Sequence, residues 1–266
     1  MEKPLPSAQV YSENIVGYNT VVLKPGFNMI APSFDAVGGG AMDLQDVVPG
    51  TTTGLKAGAD IGSADNIQIW NASTLEYSVY FLHDGSGKNN TAKASKWVVN
   101  NEDADVATDV NVTAQSGFFY VNNGTTDIEV QIAGQVIAPN PANTSIPLGF
   151  SMLASPYTYD WYINNDAGGG SVAIVDWATS AAKKGADIGS SDNIQIWDTQ
   201  NLKYNVYFLH DGSGKNNTAK ANKWVVNNDD ADIASGVFIK AGQGFFYVNN
   251  GGSVLTLNTV NPYTFD

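Results

Sequence analysis

His83 and His210 are the only imidazoles in the chain, and each stands in the same pentapeptide, Phe-Leu-His-Asp-Gly. An imidazole beside a carboxylate can act as a general base, but it needs a nucleophile or an orienting partner, and in a regular strand Asp84 faces away from His83. A strand-end histidine held by hydrogen bonds is therefore the expectation at both places. A glycosidase-like carboxylate pair has no linear signature here, and no catalytic residue and no enzyme are predicted. Two acidic tracts offer different chemistry: Glu102-Asp103-Ala104-Asp105 and Asp229-Asp230-Ala231-Asp232. In an extended chain, acids two apart project to one side, so Asp103 joins Asp105 and Asp230 joins Asp232, with amide oxygens from Asn101 and Asn228 alongside. Calcium takes about six to eight oxygens, and carboxylates with carbonyls of one loop supply several. The four aspartates are thus candidate calcium ligands, although EF-hand spacing is absent and a solvated acidic loop is the competing explanation. A third constellation is the polar loop Asp84–Ser95, which matches Asp211–Asn222 at every residue but the last. Its Asp84, Lys88, Asn89 and Asn90, and Asp211, Lys215, Asn216 and Asn217 in the second copy, read as a turn by composition. Such identity in a polar loop means either that it binds something or that both copies sit in equivalent surroundings.

These residues belong to a larger duplication. Lys56–Gly124 aligns without a gap on Lys183–Gly251, with 51 identities in 69 positions, so the chain is a tandem repeat. Within each copy the pattern is β. Ile67 and Ile69 alternate with polar neighbours, Tyr77, Val79 and Phe81 face one way with Tyr80 and Leu82 the other, and Lys96–Val99 and Gly117–Val121 form two further strands. Ile128, Val130 and Ile132 share one face of a closing strand, as do Leu255 and Leu257. The glycine runs Gly38–Gly40 and Gly168–Gly170 precede the only candidate helices, Ala41–Val48 and Val172–Ala182. The predicted fold is all-β: two tandem homologous sandwich or barrel-like domains, each with one short helix. The expected divisions are an N-terminal strand or arm (1–19), a first domain (20–134), a linker (135–145) and a second domain (146–266). Tyr11, Asn14, Ile15, Val16 and Gly17 lie in that arm, and Asn14–Gly17 echoes Gln131–Gly134 in the closing strand.

Composition narrows the partners. With 26 acids against 13 bases the net charge is −13, which opposes phosphate backbones and anionic lipid surfaces, so no nucleic acid is expected. No apolar run is long enough for membrane insertion, and Met1–Val10 lacks the apolar core of a secretion signal. Cysteine is absent, which removes disulfides and thiolate metal sites. Few charges together with abundant Asn, Thr, Ser, Gly, Tyr and Trp favour an extracellular or cell-surface protein. Six Asn-x-Ser/Thr sequons (Asn71, Asn89, Asn111, Asn123, Asn143, Asn216) permit glycans, though an Asn-rich chain produces them by chance. Trp70, Trp97, Trp197 and Trp224 read as core, whereas Trp161 and Trp177, outside the near-identical part, are the two with room to be exposed and to stack on sugars.

The glycine-aromatic-Asn strand (Gly26-Phe27-Asn28), the Ile67-x-x-Trp70 pattern and the Gly242-x-Gly244-Phe245-Phe246 strand resemble the repeated β domains of large bacterial and archaeal surface proteins. Gln115-Ser116-Gly117 in the first copy and Ser151 in the second depart from that pattern. The resemblance implies an all-β fold and a surface location. The functional expectation is an extracellular structural subunit that self-assembles head to tail, as a fibre, sheath or surface layer, with its N-terminal strand adding to a neighbour's sheet. The alternative is an adhesin or carbohydrate-binding module, with glycans as partner and the repeated loop supplying avidity.

Overall fold

The computed structural model describes residues 15–136, 143–164 and 175–259. In the first half the strands are β1 (Val16–Leu23), β2 (Gly26–Ile30), β3 (Met42–Asp43), β4 (Asn66–Asn71), β5 (Glu76–His83), β6 (Lys96–Val99), β7 (Asn111–Val112), β8 (Phe118–Asn122) and β9 (Ile128–Gln135), with one helix, α1 (Leu44–Val47), after β3. The second half runs β10 (Asn143–Ile146), β11 (Gly149–Ala154), β12 (Trp161–Tyr162), β13 (Asn193–Asp198), β14 (Lys203–His210), β15 (Lys223–Val226), β16 (Phe238–Ile239), β17 (Gly244–Asn249) and β18 (Leu255–Asn258). Each half is built on a five-stranded antiparallel sheet, in the order β2-β8-β4-β5-β6 and β11-β17-β13-β14-β15, with two ribbons beside it. The fold is all-β, as the alternation predicts.

Two expectations are corrected. Helix α1 is a single turn, capped where Asp43 Oδ1 accepts from Gln45 N. Its expected counterpart is no helix over 175–182: Asp176 accepts from Ala178 N and Thr179 Oγ1 and closes a turn instead. Residues 165–174, the rest of that candidate, lie outside the described residues. Strand β1 also crosses the boundary drawn at residue 19, because Val16–Leu23 pairs continuously with Gln135–Ile128.

The inner face of each sheet makes the core. Phe118 and Tyr120 of β8 point inward with Ile67, Leu82 and Trp97, against Leu23, Leu44, Val47, Ile128, Val130 and Ile132. Burying such side chains is worth about 1.5–3 kcal/mol each. Trp161 and Trp177 belong to the second core at 2% and 3% exposure, stacked 6.2 Å apart, so they present no sugar-stacking surface.

A buried carboxylate fixes how each sheet meets its loops. Asp65 is fully buried; its Oδ2 accepts from Lys56 N (2.8 Å) and Tyr120 Oη (2.7 Å), and its Oδ1 from Asn123 N (2.7 Å). Asp192 repeats the set with Lys183 N, Tyr247 Oη and Asn250 N. Burial together with the neighbouring Asp charge pushes the Tyr120 and Tyr247 hydroxyls far above the usual tyrosine range.

The outer faces meet each other about a pseudo-two-fold axis. Trp70 Nε1 donates to Phe150 O and Trp197 Nε1 donates to Phe27 O, both at 2.8 Å. Trp70 sits edge-on to Phe246 and Trp197 edge-on to Phe119, each with centroids 6.3 Å apart, and Phe119 and Phe246 meet at 6.3 Å. Backbone bonds reciprocate: Ala31 N to Gly242 O and Ala154 N to Gln115 O, both 2.9 Å. At Gly117 and Gly244 the chains approach so closely that a Cβ on either would stand 3.0–3.1 Å from the other's Cα. Burial and the nearby Tyr77 push the Tyr204 hydroxyl up to about 12.

Three outcomes follow from this packing. In Asp65→Asn, one of the converging donors meets an NH2, so stability falls by about 3 kcal/mol, read by chemical denaturation. Because Tyr120 and Tyr247 have raised folded pKa values, their contribution is complete below the unfolded value of about 10 and drains away as pH climbs past it; phenolate absorbance from these two should appear only with unfolding. Gly117→Val forces the halves apart, and the melting temperature should fall by the equivalent of about 1–3 kcal/mol.

Candidate functional site

Each sheet's outer face, at its β5–β6 or β14–β15 side, is covered by that half's own loops rather than by the other half. Phe81 and Val98 bury there under Ala64, Ile61, Ala104 and Val106. In the second half the same corner opens as a cleft of about 500 Å3, with Phe208 and His210 on its lining and Asp187, Asn217, Asn227 and Asp229 around it. The sequence-predicted loop and acidic tract are thus brought together with the histidine.

His83 and His210 are both 1% exposed. Each Nδ1 accepts a 2.8 Å hydrogen bond, from Gly85 N or Gly212 N. A neutral ring therefore carries its proton on Nε2. Desolvation holds His210 below the ordinary histidine range, outweighing Asp211, whose Oδ1 lies 3.7 Å from Nδ1. Strand alternation at this point gives way to a turn, so Asp84 and Asp211 do not face fully away from the rings. Serine hydrogen bonds (Ser86, Ser213) hold both carboxyls below the usual range. Among the described residues, neither histidine is hydrogen-bonded to a nucleophilic side chain.

The repeated loop is a defined turn. Gly85, Gly87 and Asn89 have φ of 80°, 89° and 66°, and a Cβ at Gly85 would strike Ala94 at 2.7 Å. These needs recur at Gly212, Gly214 and Asn216, so backbone geometry accounts for much of the loop's identity. Asn90 and Asn217 open the short 3-10 turns Thr91–Lys93 and Thr218–Lys220, whereas Lys88 and Lys215 are exposed and form no ion pair among the described residues.

The acidic tracts fold as closed loops rather than as extended chain. Among the described residues, no three His, Cys, Asp or Glu side chains converge as a metal site. Asp105 instead closes a loop on Asn101, accepting from Asn101 Nδ2 at 3.0 Å and donating its own N–H to Asn101 Oδ1 at 3.2 Å; Asp232 and Asn228 do the same. Lys93 and Lys220 place their ammonium groups on the Asp103 and Asp230 carbonyls. A cation of the chain's own already sits at each tract.

The N-terminal strand is docked within the chain. Val16 and Gly17 pair with Gln135 and Gly134, and Ile15 O accepts from Val136 N at 2.8 Å; Tyr11 and Asn14 lie outside the described residues. That bond sets the phase of the ladder. Ile15, Gly17, Asn19 and Val21 face β9, so the backbone N–H and C=O of Val16, Tyr18, Thr20 and Val22 point to the opposite edge. Nothing among the described residues bonds to them there. Val16, Tyr18 and Val22 are also 58%, 71% and 46% exposed, and the Thr20–Val22 end borders a cleft of about 410 Å3 whose far wall is Lys240–Gln243.

Sequence reasoning missed how the far edge of each large sheet is sealed. Gln45 lies against β6 as a one-residue mock strand: its Oε1 accepts from Trp97 N, and its Nε2 donates to Trp97 O and Ala107 O. Asn164, at the same place after β12, treats Trp224 and Ala234 alike. The only available signal was their position, two residues past each short strand. No helix among the described residues is long and apolar enough to cross a membrane. The chain matches no family model, and comparison with curated proteins and with solved structures gave no match.

Proposed function

We propose that the chain is an extracellular structural subunit that assembles with copies of itself, and that β1 is the contact. The supporting observation is the contrast between edges. β6 and β15 are covered by side-chain amides and by backbone bonds from residues 105–107 and 232–234, whereas among the described residues β1 leaves four backbone positions open and lines them with Val, Tyr, Thr and Val. An extended strand from a neighbouring copy adds to that edge by β-augmentation. The role of the N-terminal strand shifts accordingly, from a free donor to a docked acceptor, because its other edge is already filled by β9. Head-to-tail growth results when the incoming strand comes from a different surface of the neighbour.

Sedimentation and negative-stain microscopy of the intact chain beside Tyr18→Lys/Val22→Lys test this reading. Both side chains are exposed, so stability should change by no more than about 0.5 kcal/mol. The wild type should form fibres or sheets and the variant should remain monomeric. A wild type that stays monomeric at high concentration, or a variant that assembles unchanged, would refute it.

A further inference from the structure

The buried histidines carry a second inference, independent of β1. Among the described residues, His210 is 1% exposed, its Nδ1 is filled by Gly212 N and its Nε2 finds no protein acceptor, yet that atom is not one of the fully sealed, unsatisfied polar atoms. Since His210 lines the cleft, the unpaired Nε2–H donor opens into it. Phe208 packs beside the ring, centroids 5.8 Å apart and tilted by 32°, and, itself buried, holds the imidazole in place. Asn217, Asn227 and Asp229 surround it with amide groups and a carboxylate. The first half repeats the geometry: Gly85 N to His83 Nδ1 at 2.8 Å, and Phe81 to His83 at 5.8 Å and 34°. The surrounding residues are the same apart from Glu102 in place of Asp229.

We propose that the cleft at His210 binds a neutral sugar unit, and that the matching residues around His83 take a second, so that one chain holds a glycan at two points. The lining selects this class. Acids outnumber the one lysine, whose ammonium is occupied by the Asp230 carbonyl, and so anions are repelled. A cationic ligand would set its own N–H against the Nε2–H donor. A hydroxyl group satisfies both kinds of partner, accepting from Nε2–H and donating to a carboxylate or an amide oxygen. Phe208 is 3% exposed and offers no stacking face, so the hydroxyls of the sugar, rather than its C–H face, carry the recognition. A second such site at His83 converts a weak single contact into avid binding to a polymer.

The test uses the full chain with glucose, galactose and N-acetylglucosamine and their soluble polymers, and methylamine and inorganic phosphate as comparisons. With two histidines in the chain, ring 1H–15N spectra read both sites directly. At least one neutral sugar should move the Nε2 signals of His83 and His210, and neither comparison should. In His83→Asn/His210→Asn the amide oxygen stands close to the Nδ1 position, keeps the acceptor for Gly85 and Gly212, and removes the donor. Retention in polysaccharide affinity gels should weaken by roughly three- to tenfold. Asn100→Ala/Asn227→Ala, whose side chains make no hydrogen bonds in the structure, should weaken it without altering the melting temperature, and serves if the histidine variant does not fold. Histidine signals that no sugar moves, signals that move with methylamine or phosphate instead, or unchanged retention in the folded variants would overturn the assignment.

Discussion

The buried carboxylate of Asp65, and Asp192 as its copy, is the constraint from which the rest of each half hangs. A charge taken out of water is costly unless hydrogen bonds replace its hydration. Here three donors from two separate stretches do so, and the residue's own backbone adds more: Asp65 N donates to Lys56 O, and Asp65 O accepts from Leu82 N. One side chain thereby fixes the entry into β4, the middle of β8 and the turn after it. It also fixes the phase of β5, since Leu82 is tied to it and His83 is the next residue. The floor of the cleft is positioned by a group that never touches it. With no disulfide available, this polar hub and the apolar core must together set the register of the sheet.

The duplication is used in a different way from beads on a string. A translational repeat would give each copy the same neighbour only in a polymer. The pseudo-two-fold gives both copies the same neighbour inside one chain, through the reciprocal tryptophan bonds and the close approach of Gly117 and Gly244. It is the isologous geometry of a symmetric dimer, closed by a covalent link. The equivalence of the two polar loops therefore needs no polymer to explain it. The aromatic contacts also explain why Phe119, Trp70 and Tyr77 stay apolar on what would otherwise be the solvent face of a half-buried sheet.

Legibility in the sequence divided along physical lines. Period-two alternation reports which face of a strand is apolar, so Ile67 against Gln68, Tyr80 against Phe81, and the series Ile128, Val130, Ile132 all fell where expected. Alternation does not report what covers a face, and so the pairing of the two outer faces was invisible. The helix over Val172–Ala182 was read from composition; in its described part, Asp176 with its hydroxyl-bearing neighbours favoured a turn. At the candidate site the histidines and the loop were found because the repeat preserved them, but their meeting in one cleft depends on strand β14 and the loop over 186–191 being folded together. Side-chain spacing in an extended chain also ignores that Asn101 and Asn228 bend the chain back on itself, so the loops at the acidic tracts were not read from the sequence. Gln45 and Asn164 were beyond sequence reasoning, because one job is done by two residue types.

One departure from the two-fold bears on how copies could meet. Among the described residues the β10–β18 ribbon has four pairs, whereas β1–β9 has eight, and the additional pairs are Val16–Asn19 with Gln135–Ile132. Phe34 and Asp35 hold that extension: a Cβ at Gly134 would lie 2.4 Å from Asp35 O, and Asp35 exchanges two backbone bonds with Gln135. Val16 and Tyr18, which carry the most exposed apolar surface of the strand, lie in the extension itself. Among the described residues the chain thus has two matching buried histidines but one long open β1 edge. A molecule with two equal edges would polymerise by pairing like with like, whereas a molecule with one such edge closes into a dimer when β1 meets β1 about a two-fold axis. Growth beyond a dimer then requires that the strand entering the edge be something other than β1, which makes the polarity of any fibre a direct consequence of the asymmetry between the two halves.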